Sequence, residues 1–179
     1  MSLGETSWWW LFVSWMLLVA DADFRLRRVP NLLLVIATAV QVVWLTYCHW
    51  QNVPSPGAGL WLPALAGFLL GLSFILLWTR GVMGAGDVKF LAVLGLWVGW
   101  APLLLILVGG SLLAGIHALL VVIRRRHFPV ALQTAVPLPT RKRFLPYAGY
   151  LAIAALSLAA MQWNSPSCSP FSLWSCTPS

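Results

Sequence analysis

The chain has 179 residues, of which 60% are hydrophobic and only 8% charged, and its mean hydropathy is +0.86. In soluble domains about a quarter of the residues are charged, so this composition excludes an ordinary soluble domain and leaves a polytopic membrane protein with one compact helical unit. The net charge of +7 does not point to nucleic acid: the 11 Lys and Arg sit in short clusters beside apolar runs. The positive-inside bias produces that pattern, and there the cations set topology and meet anionic lipid headgroups.

The first apolar run extends from about Leu3 to Ala20, with Trp8, Trp9, Trp10 and Trp15 crowding its first part. Tryptophan gathers at membrane–water interfaces, so this end is predicted to be an aromatic anchor. Glu5 stands where a signal peptide has basic residues, and no small-x-small cleavage site precedes Asp21, so the run is expected to stay as a span. Asp21, Asp23, Arg25, Arg27 and Arg28 follow, and Pro30 is placed to open the next helix. The second run is Asn31 to Tyr47, leading to an uncharged loop from Cys48 to Gly57.

Leu60 to Thr79 makes a third span and returns to Arg80. Beyond Met83-Gly84-Ala85-Gly86-Asp87-Val88-Lys89, a short fourth run covers Val88 to Trp100, and Ala101-Pro102 is expected to end it. Pro102 to Ile123 is the fifth span, followed by a basic, proline-containing segment from Arg124 to Arg143. Phe144 to Met161 is the sixth, and 162–179 is a Ser- and Pro-rich tail holding Cys168 and Cys176. Alternating six spans puts all the basic residues on one side and both termini outside the cytoplasm. The expected architecture is an all-α membrane protein, with residues 1–161 as a six-helix domain and 162–179 as an extracytoplasmic tail. In an oxidising compartment Cys168 and Cys176 can form a disulfide, with Cys48 as the competing partner.

The acidic residues are only Glu5, Asp21, Asp23 and Asp87. An aspartate flush against apolar sequence is costly in a bilayer and is a functional candidate by default. Gly84 and Gly86 loosen the backbone and allow close approach, and a helix starting near Gly86 places Asp87 in its first turn. At about 1.5 Å per helical residue, Trp8 to Asp23 is ~22 Å and Trp100 back to Asp87 is ~20 Å. If both tryptophans mark the outer interface, the two aspartates lie at similar depth, and Asp21 fits nearly as well. Two carboxylates held close cannot both ionise cheaply and share a proton, as in aspartic proteases, where one activates water and the other polarises the scissile carbonyl.

Asp23-Phe-Arg-Leu-Arg-Arg-Val-Pro-Asn31 resembles the Asp-x-Arg-x-Arg-Arg-Ile-Pro-Asn pattern of the small bacterial prepilin peptidases that serve Flp/Tad pili. Gly84-Ala-Gly-Asp87-Val-Lys89 resembles their Gly-x-Gly-Asp-x-Lys signature, shared more loosely with other intramembrane aspartyl proteases. Pro146-Tyr-Ala-Gly-Tyr-Leu-Ala152 is a weaker third likeness, to the Pro-Tyr-Gly stretch opening the family's last helix. The resemblance runs from about Leu11 to Met161. It implies a Gly-x-Gly-Asp protease-like bundle with Asp23 and Asp87 as the catalytic pair, and with Gly84, Gly86, Lys89, Pro30 and Asn31 supporting the motifs. It also implies cleavage of a basic leader from prepilins and pseudopilins at the cytoplasmic face of the inner membrane. Substrates would arrive laterally through lipid, with pilus assembly machinery as a further partner and no cofactor. Asp21 matches no catalytic position of that family. The larger prepilin peptidases also methylate the new N-terminus and carry two Cys-x-x-Cys pairs; Cys48, Cys168 and Cys176 form none, which speaks against methyl transfer and zinc.

Two other function classes compete. A small transporter relaying protons through Asp23 and Asp87 predicts acidic residues at span centres, and the second, third, fifth and sixth spans have none. A non-proteolytic subunit of a pilus or secretion machine has no need to keep both motif aspartates. His49, His117 and His127 are scattered, so a metal site lacks nitrogen ligands beside the carboxylates, and His117 is expected to be a packing residue. Gly67 with Gly71 and Gly95 with Gly99 fit the small-xxx-small pattern of helix contacts.

Overall fold

The computed structural model describes residues 3–26, 29–53, 55–81, 83–127 and 147–163. Among them the chain forms α1 (Leu3–Leu26), α2 (Asn31–Trp50), α3 (Trp61–Ser73), α4 (Ile75–Thr79), α5 (Ala85–Val98), α6 (Trp100–His127) and α7 (Tyr147–Trp163). The architecture is all-helical. The rods Asn31–Trp50, Trp61–Thr79 and Trp100–Ile123 are each long and apolar enough to cross a membrane, and Tyr147–Met161 is a shorter apolar helix. The tail with its two cysteines, the start of the sixth apolar run at Phe144 and most of the basic segment lie outside the described residues.

Two boundaries differ from the sequence expectation, each for a local reason. The third run is broken at Phe74, where the Ser73 hydroxyl donates to the Leu70 carbonyl at 2.6 Å and the Phe74 amide bonds back to Gly71. A serine hydroxyl competing for backbone carbonyls in this way disturbs the helix ladder. The fourth run ends at Gly99 rather than at Pro102: Gly99 has φ +84°, a conformation open to glycine and strained for other residues. Pro102 falls in the first turn of α6, where its missing N–H leaves no bond unmade.

α5 is the axis of the bundle. Its 14 residues span only ~21 Å, and every residue from Phe90 to Val98 is buried. A helix apolar on all sides belongs in an interior. It packs most closely on α3, with Gly67 and Gly71 of α3 set against Gly95 and Leu91 of α5. A Cβ on Gly67 would fall on the Gly95 carbonyl, and one on Gly95 on the Gly67 carbonyl. These glycines are therefore a backbone-to-backbone seam, as their spacing predicts.

The tryptophans of the first run are not simply a lipid-facing anchor. Trp10 is 70% exposed, but Trp8 and Trp15 are buried. Trp8 stacks on Phe12 at 5.4 Å, and Trp15 on Trp97 of α5 at 5.3 Å. Two of these indoles have partners inside the bundle: the Trp8 N–H donates to Gln41 Oε1 at 3.1 Å, and the Trp97 N–H to the Ala37 carbonyl at 3.2 Å. Gln41 is fully buried and donates in turn to the Leu96 carbonyl at 3.4 Å, joining α1, α2 and α5. Gln41→Leu leaves the Trp8 N–H without its acceptor. We expect it to cost about 1–2 kcal/mol, read as a lower unfolding midpoint in detergent; an unchanged midpoint contradicts this account of the joint.

Candidate active site

The end of α1 carries two aspartates two residues apart, about 200° apart around the helix at 100° per residue. Asp21 is on the exposed face, in an ion pair with Arg25 one turn on. Asp23 is turned inward and only 5% exposed. Its Oδ2 accepts the Gly149 backbone N–H at 2.7 Å, a buried bond across 126 positions of sequence.

Asp87 comes from the other side of the bundle. Gly84 caps α5 in an extended conformation, and its carbonyl accepts the amides of Asp87 (3.1 Å) and Val88 (3.3 Å). This puts Asp87 in the first turn, where free amides and the helix dipole favour a carboxylate. The half-buried Asp87 carboxylate lies near Ala148 and Gly84 and within electrostatic reach of Asp23. The two motif glycines differ in their setting. A Cβ on Gly84 would stand 3.1 Å from Asp87 Oδ2, whereas nothing lies within 4 Å of where a Cβ on Gly86 would be.

The remaining motif residues meet beside the pair. Pro30 caps α2, its carbonyl accepting the Leu33 and Leu34 amides at 3.1 and 3.4 Å. Asn31, the first residue of α2, accepts from Lys89 Nζ at 3.2 Å, tying the first motif to the second. The sequence reading attached no role to the first turn of α7, although Ala148 and Gly149 face both carboxylates. The signal was there in the stretch Tyr147–Ala152, but only the three-dimensional path of the chain brings it to the ends of α1 and α5.

His117 packs on the Tyr150 ring at 5.6 Å, and Tyr150 meets Phe24 edge-on at 5.9 Å. Among the described residues no three His, Cys, Asp or Glu side chains gather as metal ligands. Cys48 is a buried free thiol. Beside Tyr147 lies a groove of about 390 Å³, lined by Phe74, Leu107, Val108, Ser111 and Leu112, apolar except where the Ser111 and Tyr147 hydroxyls bond at 2.9 Å.

The class defined by this arrangement is a helical membrane protein with two aspartates at helix ends, within electrostatic reach of each other. The model of the type IV leader peptidase family matches residues 10–119, more than half of the chain, and the chain belongs to that family. Over 95 residues it is 35% identical to a prepilin leader peptidase/N-methyltransferase of Aeromonas salmonicida (strain A449) and 34% identical to one of Aeromonas hydrophila. Each match covers 51% of this chain, but only 28% and 29% of those relatives. The chain thus spans under a third of the length of the curated relatives it matches. No solved structure matches it.

Proposed function

We propose that the protein is a prepilin leader peptidase acting as an aspartic endopeptidase, with Asp23 and Asp87 as its catalytic pair. The observation that carries this reading is that Asp23, at the end of α1, bonds the Gly149 N–H in the first turn of α7, and that Asp87, in the first turn of α5, lies within electrostatic reach of it. In the reaction one carboxylate is ionised and takes a proton from a water molecule as that water attacks the scissile carbonyl carbon. The other is protonated and donates to the carbonyl oxygen, so that a neutral tetrahedral intermediate forms. Its collapse breaks the C–N bond as the leaving nitrogen takes up a proton, leaving a carboxylic acid and an amine. Close carboxylates divide these roles because one proton between them is cheaper than two charges.

The orientation follows from charge. Arg25, Arg80 and Lys89 flank the helix ends that carry the pair, and cations gather on the cytoplasmic side. We therefore read α1, α2, α3–α4, α5, α6 and α7 as six spans of the bacterial inner membrane, with both termini outside the cytoplasm. The substrate on this reading is a prepilin or pseudopilin whose basic leader lies in the cytoplasm and whose apolar helix lies in the bilayer. The likeness of Asp23–Asn31 to the small enzymes of Flp/Tad pili favours a Flp-type prepilin. On this reading an apolar segment of the substrate would lie in the groove beside Tyr147. The proposal covers the peptidase step and not the methyl transfer in the relatives' names.

Co-expression with a Flp-type prepilin tests the reading, with the leader followed by mass spectrometry. Wild-type protein is expected to remove the leader, and a cysteine introduced at Gln51 in a cysteine-free background to be labelled from outside. A prepilin that keeps its leader beside membrane-inserted wild-type protein refutes the activity. Labelling only from the cytoplasmic side refutes the orientation.

A further inference from the structure

We propose that the first turn of α7 is the positioning element of the carboxylate pair, and that position 149 must be glycine because its amide has to reach Asp23 past the edge of the Phe24 ring. This rests on the assignment of Asp23 and Asp87 as the catalytic pair and adds a residue to it.

The pair has no scaffold of its own. Asp23 ends a helix that packs mainly on α7, and Asp87 begins one that packs mainly on α3, while α7 packs on both α1 and α5. At a helix start the first amides have no acceptor within the helix. The Gly149 amide donates across the gap to Asp23 at 2.7 Å, and its neighbour Ala148 lies close to Asp87. Because those two residues are neighbours in one helical turn, the backbone of α7 ties the positions of the two carboxylates together. The Gly149 bond also occupies a lone pair of Asp23 Oδ2, which leaves the shared proton and the attacking water to the other oxygens.

The need for glycine is steric. A Cβ at position 149 would stand 2.9 Å from Cε2 and 3.0 Å from Cζ of Phe24. The ring is held on one side by Tyr150, which packs edge-on against it and on which His117 packs, and is 45% exposed, so relief means turning it outward and giving up the Tyr150 contact. Phe24 is also the chain neighbour of Asp23, so pushing the ring moves the carboxylate that the amide is meant to hold. Gly149 is a positioning residue acting through Asp23, with no contact to substrate in this argument.

The test uses the full-length protein in membranes and a cleavable prepilin, comparing wild type, Gly149→Ala, Phe24→Leu and the double variant. A misplacement of about 1 Å at a reacting group costs about a hundredfold. Gly149→Ala is therefore expected to lower kcat about a hundredfold with KM near wild type, and Phe24→Leu to bring the double variant back to within about tenfold. In the Phe24→Leu background, Gly149→Pro removes the N–H at a first-turn position where no intrahelical bond is lost. It is expected to stay inactive or nearly so and to displace the pH–rate profile, whereas misfolding lowers the amplitude and leaves the profile in place. Three results overturn the proposal: Gly149→Ala cleaving like wild type, Phe24→Leu failing to restore it, or Gly149→Pro cleaving with the wild-type profile. Wild-type protein that leaves the prepilin whole overturns the peptidase reading itself and this proposal with it, a result distinct from active wild type with an equally active Gly149 variant.

Discussion

Asp23→Asn and Asp87→Asn are each expected to abolish prepilin cleavage, and Asp21→Asn is expected to leave it intact. Water activation and carbonyl polarisation require two carboxylates in different protonation states. Asparagine keeps the size and the hydrogen-bonding shape but cannot exchange the proton. Loss of a general acid or base costs about a hundredfold to ten-thousandfold, so each single variant should lose about a thousandfold or more. The double variant should be little worse than either, because the two groups act as one unit. Both proteins are expected to accumulate in the membrane at wild-type levels, since an amide oxygen can still accept the Gly149 N–H that now meets Asp23. Asp21, by contrast, pairs with Arg25 on the exposed face. An exposed i,i+4 pair contributes only a few tenths of a kcal/mol, so its loss should leave cleavage and accumulation nearly unchanged. Following leader removal by mass spectrometry in each variant decides the matter. A dead Asp21→Asn beside an active Asp23→Asn moves the pair by one helix face, and normal cleavage by all three variants ends the aspartic mechanism.

How much of this was legible in the sequence depended on which physical rule marked each residue. Asp87 and the couple Asp21 and Asp23 stood out because an acidic side chain against apolar sequence is costly in a membrane; Asp23 was preferred through the resemblance, and the basic clusters gave an expectation of which helix ends share a side. The glycine seam was legible for a similar reason, since small residues at four-residue spacing permit close backbones whatever the surroundings. The buried aromatic cluster was not. In a membrane protein both the lipid face and the core are apolar, so hydropathy cannot separate Trp10, which faces outward, from Trp8 and Trp15, which face α5. Gln41 gave no warning either, because one amide in a run of valines and leucines reads equally as a lumen residue or a helix joint. The third arm of the site was hidden by distance: Gly149 reaches Asp23 over 126 positions, and it contributes a backbone amide, which every residue except proline has. No residue-type pattern reports a backbone donor. Only the steric demand for glycine beside Phe24 leaves a trace in the sequence, and that trace has meaning only once Phe24 is known to be the neighbour.

The seam between α3 and α5 carries the second large expected effect. Gly67→Val and Gly95→Val should each prevent accumulation of folded protein, while Gly115→Val should be tolerated. At Gly67 a Cβ meets the Gly95 carbonyl and the Gly99 backbone, and at Gly95 it meets the Gly67 carbonyl. Those neighbours are main-chain atoms, which have no rotamer to change, so the only relief is to move α3 away from α5. Overpacking of a well-fitted interior costs about 1–3 kcal/mol where side chains can yield, and this seam offers none that can. Separating the two helices also removes much of the burial of α5, whose 14 residues cover only ~21 Å. Because Asp87 sits on the first turn of that helix, activity should disappear together with folding and not before it. At Gly115 nothing lies within 4 Å of the added carbon, and valine suits a lipid-facing helix, so this variant controls for substitution itself. The measurement is the amount of monodisperse protein recovered in mild detergent, with protease resistance as the second reading. Wild-type recovery of either Gly67→Val or Gly95→Val would show that α3 and α5 are not in backbone contact, and with that the placement of α5 at the centre of the bundle falls.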